Sequence, residues 1–463
     1  MQWLMLVVTF VVLAVLQRVA RAVGGPLEAH ATLALGCLTL AAYIAGTIAQ
    51  RFRIPRIAGY LVAGFVAGPA WLRLVRGPEL EALAAISSGA LTLIAFAAGN
   101  ELTLDPLRSG RRTTVLRIVG GAMAVPFAAV ALVVLTVSPW FPLTAHQPFR
   151  DALVVALALG TMAAVSSPTV TWAVSSDVGA RGPLSRTTLD VSVLQDLAAV
   201  VLLVVVLALA RPLGSRGTVT PGVAADTLLI LGGSIVAGIA LALAIAQFLR
   251  VVQDHVVWVL VILAVVVSQL VRLTGFDGVL IGLAAGCGLR HTAPEHSERV
   301  RAELKRCAMP VYVVFFALAG SNVQLDALEE IWPWVLLLAG LRVTGLWGGL
   351  RWAGRHPAVP AEWVNYGWLG LVSQGGLAIT LAAILRRAFA EWQVSLEALL
   401  VAMIGVYQLA GPICFQWVLR RTGEVTGEAH GGEMPGTAES AASAASAASG
   451  ETGNPVVAGG SRM

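Results

Sequence analysis

The sequence predicts an all-α polytopic membrane protein, and three observations carry that prediction. Apolar residues fill 57% of the 463 positions, charged residues only 12%, and the mean hydropathy is +0.81. A soluble domain carries about 25% charged residues, whereas a charge at the bilayer centre costs about 2.5–3.5 kcal/mol on insertion scales. The apolar residues gather into fourteen runs, most close to the ~20 residues a spanning helix needs. After Arg421 the composition turns abruptly to Gly, Glu, Thr and Ala, with Ala-Ala-Ser repeated three times over residues 441–449.

In chain order the runs are 3–23, 28–49, 56–75, 79–100, 112–137, 150–176 and 183–210, then 222–249, 254–273, 276–289, 304–321, 331–353, 361–385 and 396–419. The first is ambiguous. Its clean apolar part, residues 3–16, is short, and Ala20-Arg21-Ala22 offers a small-x-small cleavage pattern without the positively charged start of a signal peptide. Thirteen or fourteen spans are therefore expected, with residues 1–27 an extra helix or a signal-like segment. Residues 28–424 form the membrane domain, and residues 425–463 a tail too polar to bury a core. The tail holds no Gly-x-Gly-x-x-Gly and is too short for a nucleotide-binding domain.

Charge and cysteine usage narrow the classes. The net charge of +5 comes from arginines in loops rather than from a basic face, which argues against nucleic-acid binding. Loops on one side, such as those holding Arg51, Arg53 and Arg56 or Arg299, Arg301 and Lys305, carry nearly twice as many basic residues as the other side. The richer side is expected to be cytoplasmic, which puts the C-terminus inside a bacterial-type inner membrane. Cys37, Cys287, Cys307 and Cys414 lie in or beside apolar runs without metal spacing, and the seven histidines are scattered. No metal, cofactor or nucleophile–base pair is indicated, so an enzyme is not expected.

Self-similarity gives the topology. Residues 99–105 (Gly-Asn-Glu-Leu-Thr-Leu-Asp) parallel residues 320–326 (Gly-Ser-Asn-Val-Gln-Leu-Asp), and residues 59–64 parallel residues 278–282. Both pairs lie seven runs apart, an odd offset, so the repeats are inverted. At the same offset stand two interrupted runs, the sixth at Ser166-Ser167-Pro168-Thr169 and the thirteenth at Ser373-Gln374-Gly375-Gly376. Interrupted helices at matching positions of inverted halves point to a transporter's midplane site. Helices kinked only for packing are the alternative.

Asp196 is the focal residue. It falls thirteen residues past Pro183, roughly 20 Å along its helix, with no Lys or Arg nearby in sequence. A carboxylate at that depth must take up a proton, pair with a base or bind a cation. One side chain can hold either ion but not both, and that competition is the core of an exchange cycle. A buried structural Asp is the alternative. Asp190, nearer the helix start, fits a vestibule as well as an ion ligand. Arg342, midway along its run, stays charged at any relevant pH and needs an anionic or carbonyl partner, either Asp196 or a half-helix C-terminus. Glu101, Asp105 and Asp326 fall at helix ends, where solvated or capping roles are expected.

As an ordered set these segments resemble the second monovalent cation:proton antiporter family, with its Kef-type potassium and NapA-type sodium exchangers. Residues 53–64, followed by Gly68-Pro69, look like its first core helix, and residues 99–105 like its Gly-x-Glu-x-x element. Ser166-Ser167-Pro168-Thr169 looks like its first crossing helix, Gln195-Asp196 like its acidic motif, and Gly411-Pro412 through Glu424 like its closing helix. The resemblance implies two inverted repeats with crossed discontinuous helices, split into a dimerisation domain and a mobile core domain, and hence a homodimer. It implies Asp196 as the shared cation and proton site, with Gln195, Ser166, Ser167 and Thr169 beside it. Arg342 would be the charge-compensating residue, and Pro168, Gly375 and Gly376 would make the helix breaks. The substrates implied are Na+ or K+ and protons, with no cofactor. A cation channel or membrane sensor on the same scaffold, or an organic-anion transporter, stand as alternatives. With one acid at the midplane, a one-for-one exchange is expected to be electroneutral.

Overall fold

A computed structural model describes residues 2–22, 24, 26–52, 54–69, 71–101, 112–145, 147–213, 222–251, 256–322, 331–389 and 393–425. Asp105, Asp326 and the tail beyond Val425 lie outside the described residues. All fourteen apolar runs are wholly or partly helical. In chain order the helices are α1 (Gln2–Ala22), α2 (Leu27–Arg51), α3 (Arg56–Ala67), α4 (Gly77–Ala82), α5 (Ala84–Glu101), α6 (Arg112–Thr136), α7 (Phe149–Ala163), α8 (Pro168–Asp177) and α9 (Pro183–Leu213). There follow α10 (Val223–Val251), α11 (Val256–Thr274), α12 (Gly278–Thr292), α13 (Pro294–Ser321), α14 (Trp332–Ala353), α15 (Ala361–Asn365), the 3-10 turn Gly367–Leu371, α16 (Gly376–Ala388) and α17 (Gln393–Arg421). Ten described stretches are long and apolar enough to cross a bilayer, the first being Gln2–Ala20. That first helix packs along α2, where the Gln17 amide donates to the His30 carbonyl (3.1 Å) and its oxygen meets His30 Nδ1 (3.1 Å).

Two expected spans are not single helices, and the thirteenth run, expected to break at residues 373–376, divides further. The run 56–75 is helical only to Ala67, because Gly68 precedes Pro69 and turns extended (φ −70°, ψ −179°), as residues before proline do. The chain then folds back, with the Leu74 and Val75 amides both donating to the Ala67 carbonyl (3.0 Å each). The run 79–100 divides at Leu83 into α4 and α5, and α4 is started by Glu79, whose carboxylate accepts from the Arg76 amide (2.8 Å). The run 361–385 is broken into α15, a 3-10 turn and α16.

The inverted repeats explain the packing at the centre. The third element of each half lies on the fourth element of the other: α3 on α13, and α5 on α12. The approach is so close that a Cβ on Gly64 of α3 would sit 2.0 Å from the Ala317 carbonyl, and one on Gly99 of α5 would sit 2.2 Å from that of Leu283. Small residues of this kind let membrane helices gain dispersion contact where water supplies no driving force. Polar side chains fasten the same seams. Ser321 donates to the Gly64 carbonyl (2.9 Å), and Asn100 donates to the Ser297 carbonyl (3.2 Å) while accepting from its hydroxyl. At the far end Glu424 accepts from the Leu184 and Ser185 amides (2.6 and 2.8 Å), capping α9, the helix that carries Asp196.

Candidate functional site

The first break follows from local sequence. Proline at 168 has no amide hydrogen and disfavours helical geometry in the residue before it, so Ser167 is extended (φ −126°, ψ 105°) and α8 begins at Pro168. Ser167 Oγ accepts from the Val170 amide (3.2 Å) as the helix cap and lies 2.9 Å from Thr169 Oγ1. In the second break residues 372–375 are non-helical and α16 starts at Gly376. The two breaks touch: a Cβ on Gly375 would fall 2.2 Å from Ser167 Oγ, so glycine there is what lets the chains cross. Gln374 reaches across to the Met162 carbonyl (2.7 Å).

Unwinding leaves carbonyls without intrahelical partners, tolerable at this depth only if something else satisfies them. Arg342 of α14 does so for both chains. It is fully buried. Its Nε donates to Ala163 O (3.1 Å) and its Nη2 to Val165 O (2.6 Å) on the first break, while Nη1 donates to Val372 O (2.6 Å) and Nη2 to Leu371 O (3.1 Å) on the second. Tyr407 of α17 stacks beneath the guanidinium, 4.4 Å from its carbon to the ring centre. Of the two partners expected for Arg342, the structure selects the half-helix C-termini and not Asp196. A planar fork with five donors fits four converging carbonyls, and its full charge complements two negative dipole ends.

Gln195 is committed to the first break as well. Its oxygen accepts from Ser166 Oγ (2.9 Å), and its amide donates to Ala164 O (3.3 Å) and Ala122 O (3.4 Å). The structure thus brings Gln195 to Ser166 and joins Ser167 to Thr169. Asp196, one residue on, is 1% exposed, and neither of its oxygens has a hydrogen-bond partner among the described residues. Its helix α9 packs against α7, α8 and α16, the half-helices of both breaks. Taking an ion out of water costs several kcal/mol even after relaxation, so this carboxylate is the least satisfied polar group of the break region. Asp190 is also buried, and engaged in an interaction.

Asp277 was not foreseen. In sequence it is the second residue of the run 276–289, between Phe276 and Gly278. In the structure it is 3% exposed, caps α12 by accepting from the Leu280 amide (2.7 Å), and accepts from the Thr380 hydroxyl on α16. Its own amide donates to Ser234 Oγ of α10 (2.8 Å). Asn or Ser caps a helix about as well as Asp. A helix N-terminus returns at most about 2 kcal/mol to a negative charge, against several kcal/mol for desolvating it. The cap alone does not explain a carboxylate here. No flag other than acidity marked this residue in the sequence, since its burial depends on α10, α12 and α16 meeting.

A bundle of apolar helices, two of them broken and crossed around a buried carboxylate, defines a secondary transporter. The chain belongs to the transmembrane sodium/hydrogen exchanger family, whose model matches residues 38–421. It is similar to the Na(+)/H(+)-K(+) antiporter GerN of Bacillus cereus, 25% identical over 358 residues, which cover 75% of this chain and 86% of GerN. The probable Na(+)/H(+) antiporter GerT of the same organism is 23% identical over 361 residues, covering 75% and 88% of the two chains. Among solved structures, the sodium proton antiporter MjNhaP1 of Methanocaldococcus jannaschii superposes with a TM-score of 0.63 at 17% identity, covering 87% of this chain and all of that one. That likeness establishes the fold.

Proposed function

We propose that this chain exchanges Na+ or K+ for protons by alternating access, with Asp196 as the site that the two ions share. The observation that carries this is the carboxylate itself, buried, without a hydrogen-bond partner among the described residues, and on a helix packed against both broken helices. Such a group is stable when protonated or when a cation lies against it, and unstable when bare. Each ion therefore displaces the other. The cations named for GerN and GerT accord with the same substrates.

In this scheme Gln195, Ser166, Ser167 and Thr169 hold the unwound backbone beside Asp196, and their oxygens become cation ligands by exchanging present partners. Arg342 keeps its charge on the carbonyls and does not enter the ion exchange. Residues 28–424 comprise a dimerisation domain and a core domain that moves against it in a homodimer, the first helix spans as an added element, and the arginine-rich side with the C-terminus faces the cytoplasm.

Reconstitution in proteoliposomes with a pH-sensitive dye and an imposed cation gradient tests this. Wild-type protein should move protons when Na+ or K+ is added, and Asp196→Asn should fold but show no cation-dependent proton flux. Flux at the wild-type rate in Asp196→Asn would refute the assignment.

A further inference from the structure

Two of the buried carboxylates, Asp196 on α9 and Asp277 at the start of α12, lie on helices that both pack against α16. Gly376, the first residue of α16, is packed so closely on the first turn of α12 that a Cβ there would sit 2.6 Å from Val279 Cγ2. Thr380, one turn further along α16, donates to Asp277, and α16 in turn packs against α9. Gly375, beside Gly376, packs on Ser167 of the first break, whose neighbour Ser166 donates to Gln195, so the start of α16 links Asp277 to the turn of α9 that holds Asp196.

The hydrogen bonds of Asp277 suit an ionised carboxylate and offset part of the cost of burying it. One oxygen accepts from a backbone amide and the other from a hydroxyl, and both stand at the positive end of α12. The remaining charged groups on helices packed against α12 sit at helix ends. Glu101 of α5 is paired with Arg301 and Lys305, which with Glu295, His296, Glu298, Arg299, Glu303 and Arg306 occupy the first half of α13, following the opposite end of α12. Asp226 and Arg250 are at the ends of α10, Arg272 is exposed near the end of α11, and Arg386 is six residues beyond Thr380 on α16.

We propose that Asp277 is a fixed buried negative charge that acts through space on Asp196, so that Asp196 binds whichever ion it carries, proton or metal cation, more tightly than it would alone. Asp277 is thus a positioning residue that sets the working range of the exchanger; it does not ligate the transported ion. This rests on Asp196 being the shared site.

The charge acts alike on proton and cation, which gives a signature that a structural cap would lack. Where protons compete strongly, weakening both ions by one factor leaves the apparent cation KM unchanged. Where protons are scarce, the same weakening appears in full. In Asp277→Asn proteoliposomes the apparent cation KM should therefore rise several-fold at alkaline pH and converge on the wild-type value at acid pH, with the pH profile of exchange displaced to the acid side. Asp277→Glu, which keeps the charge, should restore most of the wild-type profile. A KM altered equally at every pH, or a lowered maximal rate with an unmoved profile, would make Asp277 a helix cap and overturn the proposal. Asp277→Ser also supplies a capping oxygen and serves as the second neutral variant; if neither neutral variant folds, the residue is structural and the proposal fails. Active Asp196→Asn would instead sink the exchange scheme itself, whereas an unmoved Asp277→Asn profile beside an inactive Asp196→Asn sinks only this inference.

Discussion

Arg342 should be the most sensitive single position for stability. Its guanidinium satisfies four carbonyls, those of Ala163, Val165, Leu371 and Val372, at 2.6–3.1 Å. A buried acceptor stripped of its partner costs about 1–3 kcal/mol. Arg342→Met keeps an unbranched chain but strips all four, so the loss should be on the order of 4–8 kcal/mol after partial relaxation. Arg342→Lys keeps the charge with three donors radiating from one nitrogen and cannot span two chains as a fork does, so about 2–4 kcal/mol should be lost through one or two stranded carbonyls. In detergent, the temperature of thermal aggregation should fall in the order wild type, Arg342→Lys, Arg342→Met. Arg342→Lys should retain cation-dependent proton flux once folded, because the charge on the half-helix C-termini remains. If Arg342→Met were as stable as wild type, the clamp would not hold the crossing. If Arg342→Lys were stable yet inactive, Arg342 would belong to the transport step.

Three further substitutions probe the geometry of the breaks and the helix bearing Asp196. Ser167→Ala removes the cap of α8 and should cost about 1 kcal/mol, raising the apparent cation KM more than it lowers the maximal rate; a fall in rate alone would assign Ser167 to packing. Gly375→Ala places a methyl 2.2 Å from Ser167 Oγ, which forces the crossing apart, and it should abolish exchange in a chain that still inserts; wild-type flux would refute the close crossing. Glu424→Ala strands the Leu184 and Ser185 amides and should cost about 2–4 kcal/mol, seen as earlier thermal aggregation, whereas Glu424→Gln should recover part of it.

The sequence by itself determined what depends on solvent and on neighbouring residues. All fourteen apolar runs became helical in whole or in part because backbone polar groups in hydrocarbon must be satisfied within the segment. The break at Ser167 followed from Pro168, and the place of Asp196 near the middle of its helix from the bounds of the apolar run. Inverted self-similarity foreshadowed the reciprocal packing of α3 on α13 and α5 on α12. The break before Gly376 was legible in Ser373-Gln374-Gly375-Gly376, but the stop at Ala67, the division at Leu83 and the 3-10 turn Gly367–Leu371 were misread, because apolar composition marks burial in lipid or protein without distinguishing helix from irregular backbone.

Only the tertiary structure decided which polar groups meet. Arg342 could have paired with Asp196 or with half-helix carbonyls, and the choice depended on α14 delivering it between chains some 180 and 30 residues away in sequence. Gln195 looked free to ligate a cation until the carbonyls of Ala122 and Ala164 occupied its amide. Asp277 went unnoticed because its burial comes from α10, α12 and α16 together, none of which adjoins all the others in sequence. Local chemistry fixes where a membrane helix starts and breaks, whereas the field at a buried carboxylate is summed over charges brought near by the fold, and linear order does not contain that sum.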